Sequence, residues 1–162
     1  MALERVISGA QTGADRAGLI AARAAGLPTG GWMPLGFRAD DGDHPEFAER
    51  YGLAEMDSRR YPPRTAMNVK HSDGTIRFAV NWGSPGELLT EKLCIRYGKP
   101  YLDITPGGDV TPAQAADWLA ANSICVLNVA GNSERTSPGI QDFTADFLEA
   151  VFRMLLLAAP AA

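Results

Sequence analysis

The chain has 162 residues, a length that suits one domain with a real core. Hydrophobic residues make up 46% and charged residues 21%, which excludes a disordered or low-complexity chain. The formal net charge of −4 and the lack of any Lys/Arg run argue against a nucleic-acid surface, since Arg59, Arg60 and Arg64 form the only basic cluster. No signal peptide is expected before the first strand, and the apolar stretch Phe147 to Ala159 carries Glu149 and Arg153 and is too short to span a bilayer. A cytoplasmic chain without a membrane partner is expected. Cys94 and Cys125 lack CxxC spacing, and His44 and His71 have no partner at ligand spacing, so no metal site is expected.

The β-branched run Arg5 to Ser8 predicts a first strand, followed by a small polar loop and an alanine-rich helix over 15–25. Gly26 and Pro28 stop that helix. A strand follows over 29–33. From Pro34 to Pro63 the periodicity fades, and only a short helix near 46–51 is predicted there. A helix over 64–71, the turn Ser72-Asp73-Gly74 and a strand over 75–80 come next. The loop Asn81 to Gly86 leads to a helix over 87–97, then a strand over 101–104. Thr111 and Pro112 open a helix reaching 122, a strand covers 124–129, and a last helix runs over 139–157. Strands alternating with amphipathic helices specify one α/β domain, residues 1–162, with a largely parallel sheet.

Ligands in such sheets bind beyond the carboxyl ends of the strands. Three loops there are rich in small polar residues, which predicts one shared site. None matches GxGxxG or GxxxxGK[ST]. Gly9, Gln11, Thr12 and Gly13 are expected to cradle phosphate with Ser84 and Gly86, using backbone N–H groups at helix starts. A bulky residue at Gly13 is then expected to abolish binding and spare the fold. Asn128, Gly131 and Ser133 close the pocket, and Arg135 is a cation placed to reach a phosphate. Asp15 either contacts a sugar or orders its loop. Trp32 is a candidate to stack on a base, and Arg64 and Asn68, at i, i+4 spacing, can orient a ligand from one helical face. If the chain is an enzyme, Asp15, Glu87 and Glu91 are the candidate acid and base. The last helix is apolar over more than one stripe, so it is buried in the core or against another subunit, and a homo-oligomer is expected.

The segments ISGAQTGADRAGL, GGWMP, RTAMNVKHSDGT, GSPGELLT and LNVAGNSERTSPGI together resemble the circularly permuted YpsA-like branch of the SLOG superfamily. The resemblance covers nearly the whole chain. It implies a Rossmann-like three-layer α/β sandwich that binds a nucleotide or nucleotide-derived ligand. Members carry the label of molybdenum carrier, so molybdenum cofactor, a pterin bearing a phosphate, is an implied cargo. Relatives include the LOG phosphoribohydrolases, whose active loop reads PGGxGTxxE. In that register Thr90 stands at the catalytic glutamate, which weighs against LOG-type hydrolysis. Ala10 stands where this branch leads one to expect glycine.

Overall fold

The computed structural model describes residues 2–160. Strand β1 is Arg5–Ile7, helix α1 Ala14–Ala24 and strand β2 Thr29–Met33. The stretch of fading periodicity holds a small hairpin of β3 (Arg38–Ala39) and β4 (Gly42–Asp43), helix α2 (Phe47–Tyr51) and strand β5 (Leu53–Glu55). Helix α3 is Tyr61–Lys70, β6 Gly74–Phe78, α4 Pro85–Arg96 and β7 Tyr101–Ile104. Helix α5 (Pro112–Ala121), strand β8 (Val126–Gly131) and helix α6 (Ile140–Ala158) complete the chain. The predicted helix over 64–71 begins three residues earlier, because Pro62 and Pro63 fall in its first turn, where missing N–H groups do no harm. The sequence pattern misses the hairpin and β5, which are too short to show a period.

Six parallel strands form the main sheet in the order β5-β2-β1-β8-β6-β7. Helices α1, α5 and α6 cover one face, and α3 and α4 cover the other, giving three layers. Side-chain alternation sorts the strands cleanly. Leu127 and Val129 of β8, with Ile76 and Phe78 of β6, enter the core under α1, α5 and α6. Asn128 and Thr75, register partners, face the other way, and Asn128 Nδ2 donates to Thr75 Oγ1 at 3.2 Å. Helix α6 buries Ile140, Thr144, Phe147, Leu148, Val151 and Phe152, a stripe at i, i+4, i+7 spacing, and leaves Leu156 and Leu157 exposed near its end. A second core, with Leu19, Met33, Phe47 and Leu53, anchors the 34–60 segment beside the sheet. Among the described residues no helix is long and apolar enough to cross a membrane.

The chain runs outward from β1 to β2 and β5, then crosses to β6 on the far side of β8. The loops leaving β1 and β6 therefore turn to opposite faces around the carboxyl end of β8, which is the switch-point crevice of such sheets.

Asn68 secures one wall of that crevice. Its Oδ1 accepts from Trp32 N at 3.0 Å, and its Nδ2 donates to Trp32 O and Arg64 O, each at 3.0 Å. This clamps α3 to β2. Asn68→Ala strands both main-chain groups of Trp32 and is expected to lower stability by about 2–3 kcal/mol. Urea denaturation checks it, and an unchanged midpoint refutes the clamp.

Candidate functional site

Beyond the end of β8 lies an inner cleft of about 60 Å³. Asn128, Val129 and Ala130 make its floor, Asp15 and Gly9 one side, Arg64, Thr65 and Asn68 of α3 a second, and Gly86, Glu87 and Thr90 of α4 a third. It opens into an outer cleft of about 380 Å³ bounded by Tyr61, Pro85, Leu89, Ser133 and Arg135. Gln11, Arg64, Glu87 and Gly131 border both, so the two are continuous. A larger apolar hollow of about 520 Å³ lies at the opposite end of the sheet, between α5, α6 and the chain start, with Leu27, Leu119 and Leu155 in its walls. Its lining has no charged or hydrogen-bonding side chain to orient a polar ligand.

The inner cleft is lined by buried charge. Asp15 is buried, and Arg64 Nη1 donates to its Oδ2 at 3.1 Å. Burial pushes the Asp15 carboxyl up to about 6, Arg64 opposes that rise, and the Glu87 carboxylate adds to it. Arg64 crosses directly over Gly9, where a Cβ would collide with the guanidinium. Its Nε is buried and has no acceptor among the described residues. Glu87 is also buried and accepts hydrogen bonds from Asn132 Nδ2 at 2.7 Å and from Ser84 Oγ.

The first loop, expected to cradle an anion, uses the amides of Thr12 and Gly13 within the protein. Four of its amides are spent inside the protein: Ala10 N donates to Ser8 Oγ (3.1 Å), Thr12 N to Gln11 Oε1 (2.9 Å), Gly13 N to Gln141 Oε1 (2.9 Å) and Ala14 N to Asn132 O (3.1 Å). Thr12 Oγ1 accepts from Glu134 N at 3.3 Å, tying this loop to the third. Gly13 has φ 88°, and a Cβ there would meet the Asn132 carbonyl. A bulky residue at Gly13 thus damages the fold itself, contrary to the sequence expectation. Ala10 occupies the left-handed region at φ 54°, the physical reason glycine suits that position.

After the second loop, whose Asn81 and Gly83 amides are bonded to Asn132 Oδ1 and Asn81 Oδ1, the start of α4 keeps two amides open. Ser84 caps α4 by position, but its hydroxyl turns to the Glu87 carboxylate and makes no bond to a backbone N–H of the helix, and the N–H groups of Gly86 and Glu87 have no acceptor among the described residues. A Cβ on Gly86 would meet nothing within 4 Å. The positive end of the α4 dipole faces the cleft at this point.

Other sequence candidates are dispersed. The Trp32 ring packs 4.9 Å from His71 and does not line the cleft, so it has no base to stack on there. Glu91 accepts from the Tyr101 hydroxyl at 2.9 Å, outside the cleft, because it sits one helical position beyond Thr90. Ser133 and Arg135 stand at the outer rim, with Arg135 82% exposed. Sequence reasoning missed Thr65, Asp40 and Tyr61. It also missed Arg77, a lone charge in an apolar strand, which was a readable signal. Arg77 is buried between the Trp82 and Tyr101 rings, donates twice to Asp103 at 2.7 Å, and donates to Glu87 O at 2.7 Å. It thereby holds the first turn of α4 in place.

A family model described as circularly permutated YpsA SLOG matches residues 6–152. The chain belongs to this family. A solved structure from Syntrophus aciditrophicus, named "putative molybdenum carrier protein", is 39% identical, covers 93% of this chain and 95% of its own, and superposes with a TM-score of 0.84. None of the curated proteins matches the chain. In this YpsA-type SLOG chain the permutation has a plain structural form. The strand β8 that fills the centre of the sheet arrives last.

Because Asp15 holds its proton up to about pH 6 and an unfolded aspartate only to about pH 4, the native state binds the extra proton between those values. Stability contributed by this group falls as pH rises through that window, by about 3 kcal/mol at most. Asp15→Asn removes the slope. The difference in unfolding free energy between variant and parent is expected to move in the variant's favour from pH 4 to pH 7, and a pH-independent difference refutes the assignment.

Proposed function

We propose that the cleft binds a small phosphate-bearing ligand of nucleotide type, with its phosphate on the amides of Gly86 and Glu87. The observation that carries this reading is an α4 N-terminus with unpaired N–H groups, beside a glycine whose side is open to the cleft. Ser84 and Gly86 form the cradle, while Gly9, Gln11, Thr12 and Gly13 act as the scaffold that brings Asp15 and Arg64 to it. A sugar hydroxyl fits against Asp15 and the unpartnered Arg64 Nε, above the floor made by Asn128 and Gly131. Tyr61, Pro62, Pro85 and Leu89 offer the apolar outer walls that a planar ring requires.

Molybdenum enters this reading as cargo, suggested by the name of the Syntrophus protein. No thiolate or imidazole lines either part of the cleft, and no group of three His, Cys, Asp or Glu gathers among the described residues. The donor set therefore suits an anionic molecule that brings the metal with it, such as a phosphate-bearing pterin, better than a metal ion bound by side chains.

Calorimetry with AMP as the probe tests the site. Gly86→Leu fills the open space and blocks the amides, so it is expected to weaken AMP by at least about tenfold with little change in melting temperature. Equal affinity in the variant overturns the reading.

A second reading, an enzyme that hydrolyses or transfers a nucleotide-derived group, draws support from one pair of groups. Asp15, raised to about 6, faces the same inner cleft as Glu87, whose carboxylate already accepts two hydrogen bonds. Two carboxylates in unlike environments suit an acid and a base. If this holds, purified protein turns over AMP or ADP-ribose, and Asp15→Asn or Glu87→Gln lowers the rate by about a hundredfold or more while AMP still binds. Turnover surviving both substitutions rules out the pair.

A further inference from the structure

The outer cleft contains a carboxylate that the reading above does not use. Asp40 sits at the turn of the β3–β4 hairpin and reaches over the cleft mouth, where its side chain is 16% exposed. Its Oδ1 accepts from Gln11 Nε2 at 3.2 Å and from the Tyr61 hydroxyl at 3.2 Å, and its Oδ2 lies 3.7 Å from Arg135 Nε. These three donors come from three separate places: the loop after β1, the start of α3 and the loop after β8. The guanidinium groups of Arg38 and Arg64 lie over the Tyr61 ring at 4.8 and 5.3 Å, so the surroundings are more positive than the three contacts alone. The adjacent carboxylate, Asp41, is engaged elsewhere by Arg16 at 2.5 Å and by His44 at 2.8 Å.

An amide, a phenol and a guanidinium converging on one carboxylate at a cleft mouth have the form of an anion receptor with an internal anion in it. We propose that Gln11, Tyr61 and Arg135 form a second anion site, which Asp40 fills until the outer phosphate of a ligand with two phosphoryl groups displaces it. A nucleoside diphosphate has the required chemistry: its inner phosphate meets the start of α4 and its outer one the Asp40 position. Both ends of that span line the same outer cleft. Displacement needs only a rotation of the Asp40 side chain, because the Asp40 main-chain N–H donates to Gln11 Oε1 at 2.8 Å and can stay in place. Asp40 rides on a hairpin of two-residue strands, and Arg135 extends into solvent. The Asp40–Arg135 pair is long at 3.7 Å and its guanidinium is exposed, so it is weak enough to give way. The inner phosphate rests on the function proposed above, whereas the outer site stands on its own contacts.

Asp40→Asn keeps the acceptor for Gln11 and Tyr61 and removes the competing charge. Calorimetry with AMP, ADP and inorganic pyrophosphate then separates the two ideas. The variant is expected to bind ADP and pyrophosphate about tenfold more tightly than the parent, and AMP no more than about twofold more tightly. Adding Arg135→Ala to Asp40→Asn is expected to cancel the gain. Unchanged affinity for pyrophosphate and ADP, or the same gain for all three probes, overturns the second anion site. If AMP fails to bind while pyrophosphate still follows Asp40 and Arg135, the nucleotide reading falls and the second site stands. If AMP binds and the other two ignore Asp40, the reverse holds.

Discussion

Strand β8 is hydrogen-bonded to β1 on one side and to β6 on the other, pairing Leu127 with Val6 and Asn128 with Thr75. A strand near the end of the chain thus holds the two halves of the sheet together. Without it, β1, β2 and β5 form one ribbon and β6 and β7 another, each with an open edge. The same insertion builds the cleft, because the carboxyl end of β8 is its floor and the loops on both flanks are its walls. Fold and site depend on one long-range pairing, and pairing of that kind forms late and slowly.

Charge in the interior serves position more than stability. Arg77 is almost fully buried, and its cost of desolvation is offset by Asp103, two aromatic faces and the Glu87 carbonyl. A well-packed apolar residue would stabilise the sheet about as well. Only a guanidinium can bind a carboxylate on β7 and at the same time grip the first turn of α4. Arg64 does the parallel service from α3, reaching across Gly9 to Asp15. Two arginines, one below α4 and one beside α1, define where the Glu87 main chain and the Asp15 carboxylate stand.

The two glycine-bearing loops look alike in sequence and do different work. Gly13 is needed by the fold, since its positive φ and the nearby Asn132 carbonyl leave no room for a side chain. Gly86 has ordinary dihedral freedom and open space beside it. No pattern of residues distinguishes these cases. The partner that decides is Asn132, more than a hundred residues away from Gly13.

Periodicity and punctuation were enough to determine the alternation of strands and helices, the parallel sheet and the three loops at its carboxyl edge. The strands 29–33 and 101–104 were legible to the residue, because prolines bracket them: Pro28 and Pro34 the first, Pro100 and the Pro106-Gly107-Gly108 turn the second. Motif order was enough to determine the family. Tertiary structure alone decided that the Gly86 and Glu87 amides stay free while those of Thr12 and Gly13 do not, that Trp32 turns away toward His71, and that Asp40 and Tyr61 belong to the cleft at all. The reason is physical. Propensity and period are local properties of the chain, whereas a hydrogen bond or a burial shift depends on what a distant segment brings within about 3 Å.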